Sequence, residues 1–305
     1  MKGQAMKKVL ISAISLLALN SAVSAADLPS RKEAVLPPPP PLWTGFYAGL
    51  NAGYNWGTNS NTYSQNWASD TFYNTLSVAP VALDGNIPNT QSGFMGGAQF
   101  GYNYQYGSNI VLGVETDIQG SNVRGSGRST GISVGNYPGG GFNNRETTIG
   151  STTAQAGLDY LGTIRGRVGY LWSPALLLYG TAGFAYGGAW SNVVQSATTA
   201  DAACLGAACT NNGTFGWTGA GQQNQLLTGW TAGGGVEWLF MPNWSLKTEA
   251  LYWDLGRMNI NTANYSSDGF AMGWGRTNVN YSGVVARAGI NYHFNFGTAP
   301  VVAKF

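Results

Sequence analysis

The stretch Phe46-Tyr47-Ala48-Gly49-Leu50-Asn51-Ala52-Gly53-Tyr54-Asn55-Trp56 decides the fold. Phe46, Ala48, Leu50, Ala52, Tyr54 and Trp56 fall on one parity, and Tyr47, Gly49, Asn51, Gly53 and Asn55 fall on the other. Side chains alternate between the two faces of a strand, so an extended chain here has one greasy side and one small or polar side. Eleven residues at ~3.3 Å each, with the tilt of a barrel strand, match the ~9–11 residues that cross a bilayer.

Seven further segments repeat the split. Phe94, Ala98, Phe100, Tyr102 and Tyr104 oppose Gln99, Gly101, Asn103 and Gln105; Ile110, Leu112, Val114 and Ile118 oppose Glu115, Asp117 and Gln119. Leu158, Tyr160, Ile164, Val168 and Tyr170 oppose Asp159, Thr163, Arg165 and Arg167; Leu176, Leu178, Ala182, Phe184 and Tyr186 oppose Thr181, Gly183 and Gly187. Trp230, Ala232, Val236 and Trp238 oppose Gly229, Thr231, Gly233 and Glu237. Trp244, Leu246, Ala250 and Tyr252 oppose Ser245, Lys247, Glu249 and the ill-fitting Trp253. Val284, Ala286, Ala288, Ile290, Tyr292 and Phe294 close the series against Arg287, Gly289, Asn291 and His293.

In a soluble sandwich the charged face looks outward to water and the apolar face looks in. Here only 9% of 305 residues are charged, against ~25% in an ordinary soluble domain, too few to keep a water-facing surface soluble. At 44% hydrophobic and 13% aromatic the chain is not of disordered composition. Past the N-terminus no apolar run approaches the ~20 residues of a spanning helix. The remaining solution turns the apolar face toward lipid and closes the sheet, because unpaired edges are intolerable in hydrocarbon. The expected fold is all-β: a transmembrane up-and-down antiparallel β-barrel of about eight strands with four long extracellular loops.

The connections agree. Residues 106–109, 172–175 and 241–243 make tight turns, two of them marked by Ser173-Pro174 and Met241-Pro242. Residues 57–91, 121–157, 188–225 and 257–280 are long, rich in Asn, Thr, Ser and Gly, and read as outward loops. Both termini then lie in the periplasm. Tyr104, Tyr106, Tyr170, Trp172, Trp238, Phe240, Trp244, Tyr292 and Phe294 form an aromatic girdle at the periplasmic interface. Tyr54, Trp56, Phe94, Tyr186, Trp190 and Tyr252 form the outer one.

Lys2, Lys7 and Lys8 precede an apolar run over residues 9–19 and the small residues Ser21-Ala22-Val23-Ser24-Ala25-Ala26. This reads as a secretory signal peptide, cleaved after Ala25 or Ala26, and the run is too short for a retained anchor. Its removal takes three lysines from the 15 basic residues, leaving 12 against 13 acidic, so nothing invites nucleic acid. The expected organisation is a signal peptide over 1–25, a periplasmic linker over 26–42 stiffened by Pro37 to Pro41, a barrel over 43–296 and a tail over 297–305.

These residues resemble a known family. Ala26-Asp27-Leu28-Pro29, the proline run and Trp43-Thr44-Gly45-Phe46-Tyr47-Ala48-Gly49 are similar to the RopB-type family of alphaproteobacterial outer-membrane proteins, related to the OmpA-like and opacity-type eight-stranded barrels. Gly289, Tyr292 and Phe294, behind the polar Arg287, resemble the strand signal read by the barrel assembly machinery. Here residues 295–305 follow that signal, and Val301-Val302-Ala303-Lys304-Phe305 offers a second version of it. The resemblance implies an abundant, surface-exposed structural envelope protein, immunogenic in pathogens, with haemin binding or porin-like behaviour in some members. Implied partners are outer-membrane lipid and lipopolysaccharide, and a homo-oligomer is compatible with such a barrel.

The polar chemistry is sparse. Glu115, Asp117, Arg165, Arg167, Glu237, Lys247, Glu249 and Arg287 all fall on the lumen parity, four acids against four bases. Glu237 and Lys247 flank the turn at Met241-Pro242 and are expected to be cross-strand neighbours. An eight-stranded interior is just wide enough for side chains to fill it, so these charges are expected to plug the lumen rather than line a channel. Gly131-Ile132-Ser133-Val134-Gly135 matches the nucleophile-elbow pattern but lacks the flanking strand-to-helix turn and a histidine base. His293 is the single histidine, so no His-based metal site is expected. Cys204 and Cys209 lie in the third long connection, in an oxidising compartment, and suit a small disulfide-closed tip; they are half a zinc site at most. No reaction and no cofactor are expected.

Overall fold

The computed structural model describes residues 42–58, 61–68, 79–139, 142–205, 208–267, 269 and 271–294. The expected signal peptide, nearly all of the linker and the C-terminal tail lie outside the described residues. The strands in chain order are β1 (Gly45–Gly57), β2 (Asn61–Ala68), β3 (Gly85–Pro88), β4 (Ser92–Tyr106), β5 (Ile110–Gly139), β6 (Phe142–Ser173), β7 (Leu176–Leu205), β8 (Ala208–Met241), β9 (Trp244–Ser266) and β10 (Ala271–Phe294). A 3-10 turn, Ala79–Leu83, precedes β3.

β1, β4, β5, β6, β7, β8, β9 and β10 pair antiparallel in that order, and β1 pairs with β10 from Phe46↔Phe294 to Gly57↔Gly283. The sheet therefore closes into an eight-stranded barrel. Its outward parity is as the periodicity predicts: Leu50, Phe94, Val114, Ile118, Ile164 and Val168 are all more than half exposed to the surroundings. The aromatics of the girdle at the tight-turn end are exposed as well, from Tyr106 and Trp172 to Tyr292 and Phe294.

The four long loops require correction. β5 to β8 run for 30, 32, 30 and 34 residues, about three times what a bilayer needs. Three of the expected loops are continuations of the barrel strands, which rise beyond the outer girdle as a β turret. The first connection folds inward. β2 adds to the upper end of β10 (Trp274↔Trp67), β3 adds to β2, and the 3-10 turn packs inside the mouth, where Thr152 Oγ1 donates to the Leu83 carbonyl at 2.9 Å.

Between membrane and turret the barrel turns inside out. Below the outer girdle, apolar side chains face lipid and charges face the lumen. Above it, Val123, Leu158, Val193, Met258, Ile260 and Val279 point inward and are buried, together with Ile87 from the first connection. Arg124 and Asp159, a salt bridge of 3.0 Å, face outward at the same level with both side chains about half exposed. Register shifts mark the change: Gly120/Val123 with Leu158/Tyr160, and Tyr281/Ser282 opposite Gly256, whose φ of +80° suits only glycine. The bulge in β6 corrects two parities expected from the sequence. Leu158 faces inward and Asp159 outward, because one extra residue flips every side chain beyond it. Trp253, which fitted the alternation poorly, is a lumen residue at 1% exposure.

Candidate functional site

The lumen is built in tiers. At the end where the described chain begins and stops, Trp43 folds under the barrel, its Nε1 donating to the Pro174 carbonyl at 3.0 Å, and packs with Val111, Leu171, Leu177 and Tyr179. Above this floor lie the eight predicted charges, each at 5% exposure or less. Period two places them: Glu115 and Asp117 on β5, Arg165 and Arg167 on β6, Glu237 on β8, Lys247 and Glu249 on β9, and Arg287 on β10. Above them come Leu161, Leu251, Trp253 and Val285, the lower part of the apolar tier.

Arg165 is the hub. Its guanidinium reaches Glu115, Asp117 at 2.7 Å and Glu249 at 3.1 Å, while its Nε donates to Thr163 Oγ1 at 2.9 Å. Arg287 bridges Glu249 at 2.5 Å and Asp117 at 2.8 Å. Arg167 takes Glu237 at 2.8 Å and lies over the Tyr179 ring, 4.0 Å from its centroid. Glu237 and Lys247 are register partners, yet the ion pair does not follow the register. Lys247 Nζ instead reaches across the lumen to both Glu115 oxygens at 2.7 Å, and lies 3.2 Å from Glu249. Glu237 is satisfied by Arg167, by Ser245 Oγ at 2.6 Å and by Asn291 Nδ2 at 2.7 Å. Buried charge is costly unless paired and hydrogen-bonded, and here carboxylates and cations cancel four against four.

Sequence reasoning passed over several members. Tyr47 donates to Glu115 at 2.6 Å and accepts from Arg167 at 3.0 Å. Tyr179 donates to Glu249 at 3.1 Å. Gln99 links Lys247 to Asn51 and Asn291. The available signal was an aromatic on a parity otherwise made of small and polar residues. Gly101 shows why glycine lines that face: a Cβ there would lie 2.5 Å from the Tyr47 ring tip and 2.7 Å from the Val114 carbonyl oxygen. His293 stands against the floor, its Nε2 at 2.9 Å from Ser245 Oγ and 3.3 Å from Glu237, its ring edge-on to Trp43.

Gly131 to Gly135 runs extended within β5, paired to residues 146–150 of β6, so the strand-to-helix turn of a nucleophile elbow is not there. Cys204 and Cys209 are register partners at the end of the β7–β8 hairpin. Gly289, Tyr292 and Phe294 lie on the last strand against β1, with Phe294 opposite Phe46. Among the described residues no group of three His, Cys, Asp or Glu could hold a metal ion.

A closed barrel with an apolar outer belt, two aromatic girdles and its charges turned inward is a transmembrane β-barrel of the bacterial outer-membrane type. The chain is 33% identical over 293 residues to the 31 kDa outer-membrane immunogenic protein of Brucella melitensis biotype 1, covering 95% of this chain and 100% of that protein. The protein of the same description in Brucella suis biovar 1 matches equally. The chain belongs to this family of outer-membrane immunogenic proteins, and its place is the bacterial outer membrane. No family model matches. Similar solved structures include the Pseudomonas aeruginosa outer-membrane protein OprG (11% identity, 82% of this chain and 96% of that one, TM-score 0.39). Ail of Yersinia pestis is another (11% identity, 80% and 99%, TM-score 0.27).

Proposed function

We propose that this protein is a closed structural barrel that stiffens the outer membrane and carries its β turret outside the cell, with both termini in the periplasm. The observation that carries this reading is the filled lumen. An ion or solute crossing it would have to displace the Trp43 floor, break a neutralised charge cluster of at most 5% exposure, and pass the apolar tier around Trp253 and Leu251. A porin-like path needs continuous water-lined polar surface, and the apolar tier interrupts it. The orientation rests on how far the sheet projects past each girdle: at the end where the described chain begins and stops only the turns at 107–109, 174–175 and 242–243 follow it, whereas at the other end the strands run on as the turret, and the short side is periplasmic in such barrels. In this reading the last strand, with Gly289, Tyr292 and Phe294, is what the barrel assembly machinery engages.

Planar-bilayer recording of the purified mature protein tests the reading. No reproducible conductance step is expected from pH 5 to 8, and a deletion strain should gain sensitivity to detergent and osmotic shock. Reproducible unitary steps, abolished when the turret is cleaved or antibody-bound, would replace the structural role by transport.

A further inference from the structure

The turret has one wall unlike the others. β2, the upper halves of β10 and β9, and the adjoining part of β8 present an outer face of aromatic rings, carboxamides and guanidinium groups. Trp67 and Trp274 are register partners stacked at 4.2 Å, and Trp274 is 49% exposed. Tyr63 and Tyr265, 48% and 47% exposed, flank the stack along β2 and β9. In the next rungs Arg276 stands between Gln65 and Asn261, and Asn278 between Tyr63 and Asn259. Arg257, whose Nε donates to Asn280 at 3.2 Å, is the lowest of the set. Beside it the β8–β9 ladder is interrupted between Ala220 and Trp230, which leaves Gln222, Gln223, Asn224 and Gln225 all exposed. Among the described residues, this wall carries no acidic side chain above Asp254.

Planar amides and guanidinium forks bond hydroxyls and phosphates in pairs, and flat rings cover the C–H faces of sugars. The wall's height supplies the second constraint. Counting from Val284, level with the girdle residues Trp56 and Tyr252, Asn280 and Arg257 stand about 13 Å along the strand and Trp274 about 33 Å, at ~3.3 Å per residue, before the strand tilt shortens both. That is the layer just outside the lipid headgroups. We infer that this wall docks the phosphorylated core oligosaccharide of the lipopolysaccharide around the barrel: Arg257 and Arg276 hold phosphates, and Trp274 with its amide neighbours holds sugar rings. The match is one of charge, since the lipopolysaccharide core is anionic and the wall's described charges above Asp254 are all cationic. The opposite wall has exposed Arg128 and Arg145 of its own, but the paired Ile132 and Ile149, 69% and 58% exposed, stand between them.

The inference rests on the outward orientation proposed above, and the two can fail separately. Calorimetric titration uses the detergent-solubilised full mature chain and lipopolysaccharide stripped of its acyl chains, so that the lipid-facing belt cannot contribute. Wild type is expected to bind the phosphorylated core. The exposed double variant Arg257→Gln/Arg276→Gln should bind it at least ten-fold more weakly and lose most of the salt dependence, yet bind enzymatically dephosphorylated core as wild type does. Trp274→Ala should weaken both. Ile132→Ser should change neither, and all variants should keep the wild-type heat-modifiable gel shift. No binding by wild type, equal binding by the arginine variant, or dimerisation through this wall that Trp274→Ala abolishes would overturn the inference. Biotinylation of a cysteine placed at Asn278 on intact cells addresses the orientation alone.

Discussion

Arg165 sits where three carboxylates converge, with none of its side chain exposed. Replacing it by methionine keeps most of the volume but leaves Glu115, Asp117 and Glu249 with one cation fewer in a site without water access. Breaking a buried ion-pair network from one side costs about 3–5 kcal/mol. Arg165→Met is therefore expected to lower markedly the temperature at which the barrel unfolds in SDS, read as the loss of heat-modifiable migration. Arg124→Gln removes a 3.0 Å contact to Asp159, but on the turret's exterior, where a pair is worth about 0–1 kcal/mol, and should leave that temperature nearly unchanged. Equal effects from the two would deny that the lumen is dry. Asp84, in the first connection outside the membrane, makes a titratable contact of another kind. It accepts from the Asn66 amide at 2.6 Å and from Asn66 Nδ2 at 3.0 Å, yet burial prevails and raises its carboxyl above the ordinary value. A raised carboxyl favours the folded-in connection below that value, and the benefit is lost as pH rises through it. Hydrogen exchange at Asn66, corrected for intrinsic rates, should slow as pH falls toward the raised value, and Asp84→Asn should flatten that profile.

At the scale of the strands, what the sequence could disclose depended on what lay on each side of them. Where lipid faces one side and the charged lumen the other, as in β1 or the lower half of β10, polarity alternates strongly and parity can be read by eye. In the turret, water lies outside while Thr148, Thr152, Gln195 and Thr199 lie inside, so polar residues occupy both faces and the alternation fades. Residues 121–157 and 188–225 thus look like loops, although their threonines and valines are strand formers. The bulge at Leu158/Tyr160 is silent for a similar reason, since apolar neighbours give no sign of which one switches sides. The lumen charges were legible because a charge on a lipid-facing parity is prohibitive; their actual partners were not, because Lys247 reaches across the barrel rather than along its register. The β7–β8 hairpin carries an element-scale prediction. Cys204 and Cys209 stand opposite each other in register, and cross-strand Cα spacing of about 4.5–5.5 Å lies within disulfide range. Maleimide-polyethylene glycol should shift the denatured protein only after reduction. Cys204→Ser/Cys209→Ser should leave the unfolding temperature of the barrel unaffected, because such a bridge would close only a hairpin tip.

The whole molecule is one closed sheet with two opposite solvation patterns stacked along its axis, and the level at which they exchange fixes its depth in the membrane. Below that level the sheet is stable only in hydrocarbon, since Leu50, Val114, Ile164 and Val168 are exposed on its outside. Above it the sheet is a water-facing barrel around an apolar layer topped by buried Thr148, Thr152, Gln195 and Thr199, with arginines outside. Neither half can exchange places with the other: sliding the barrel outward strands the lipid-facing belt in water, and sliding it inward buries Arg124, Arg257 and Arg276 in lipid at about 2.5–3.5 kcal/mol each on insertion scales. The girdles should therefore hold the barrel at a sharply defined height. Single-tryptophan variants reconstituted in vesicles with acyl-chain-brominated lipid can read that height. Trp238 in the lower girdle and Trp230, packed against Tyr252 of the upper girdle, 52% and 53% exposed on the lipid side, should be strongly quenched. Trp253, enclosed in the lumen at the upper girdle's level, should be quenched weakly, and Trp274 on the turret not at all. Strong quenching of Trp274 with little at Trp238 would mean that the long upper sheet, not the belt, is the part embedded in lipid, and the inside-out exchange of solvation would have been assigned to the wrong solvent.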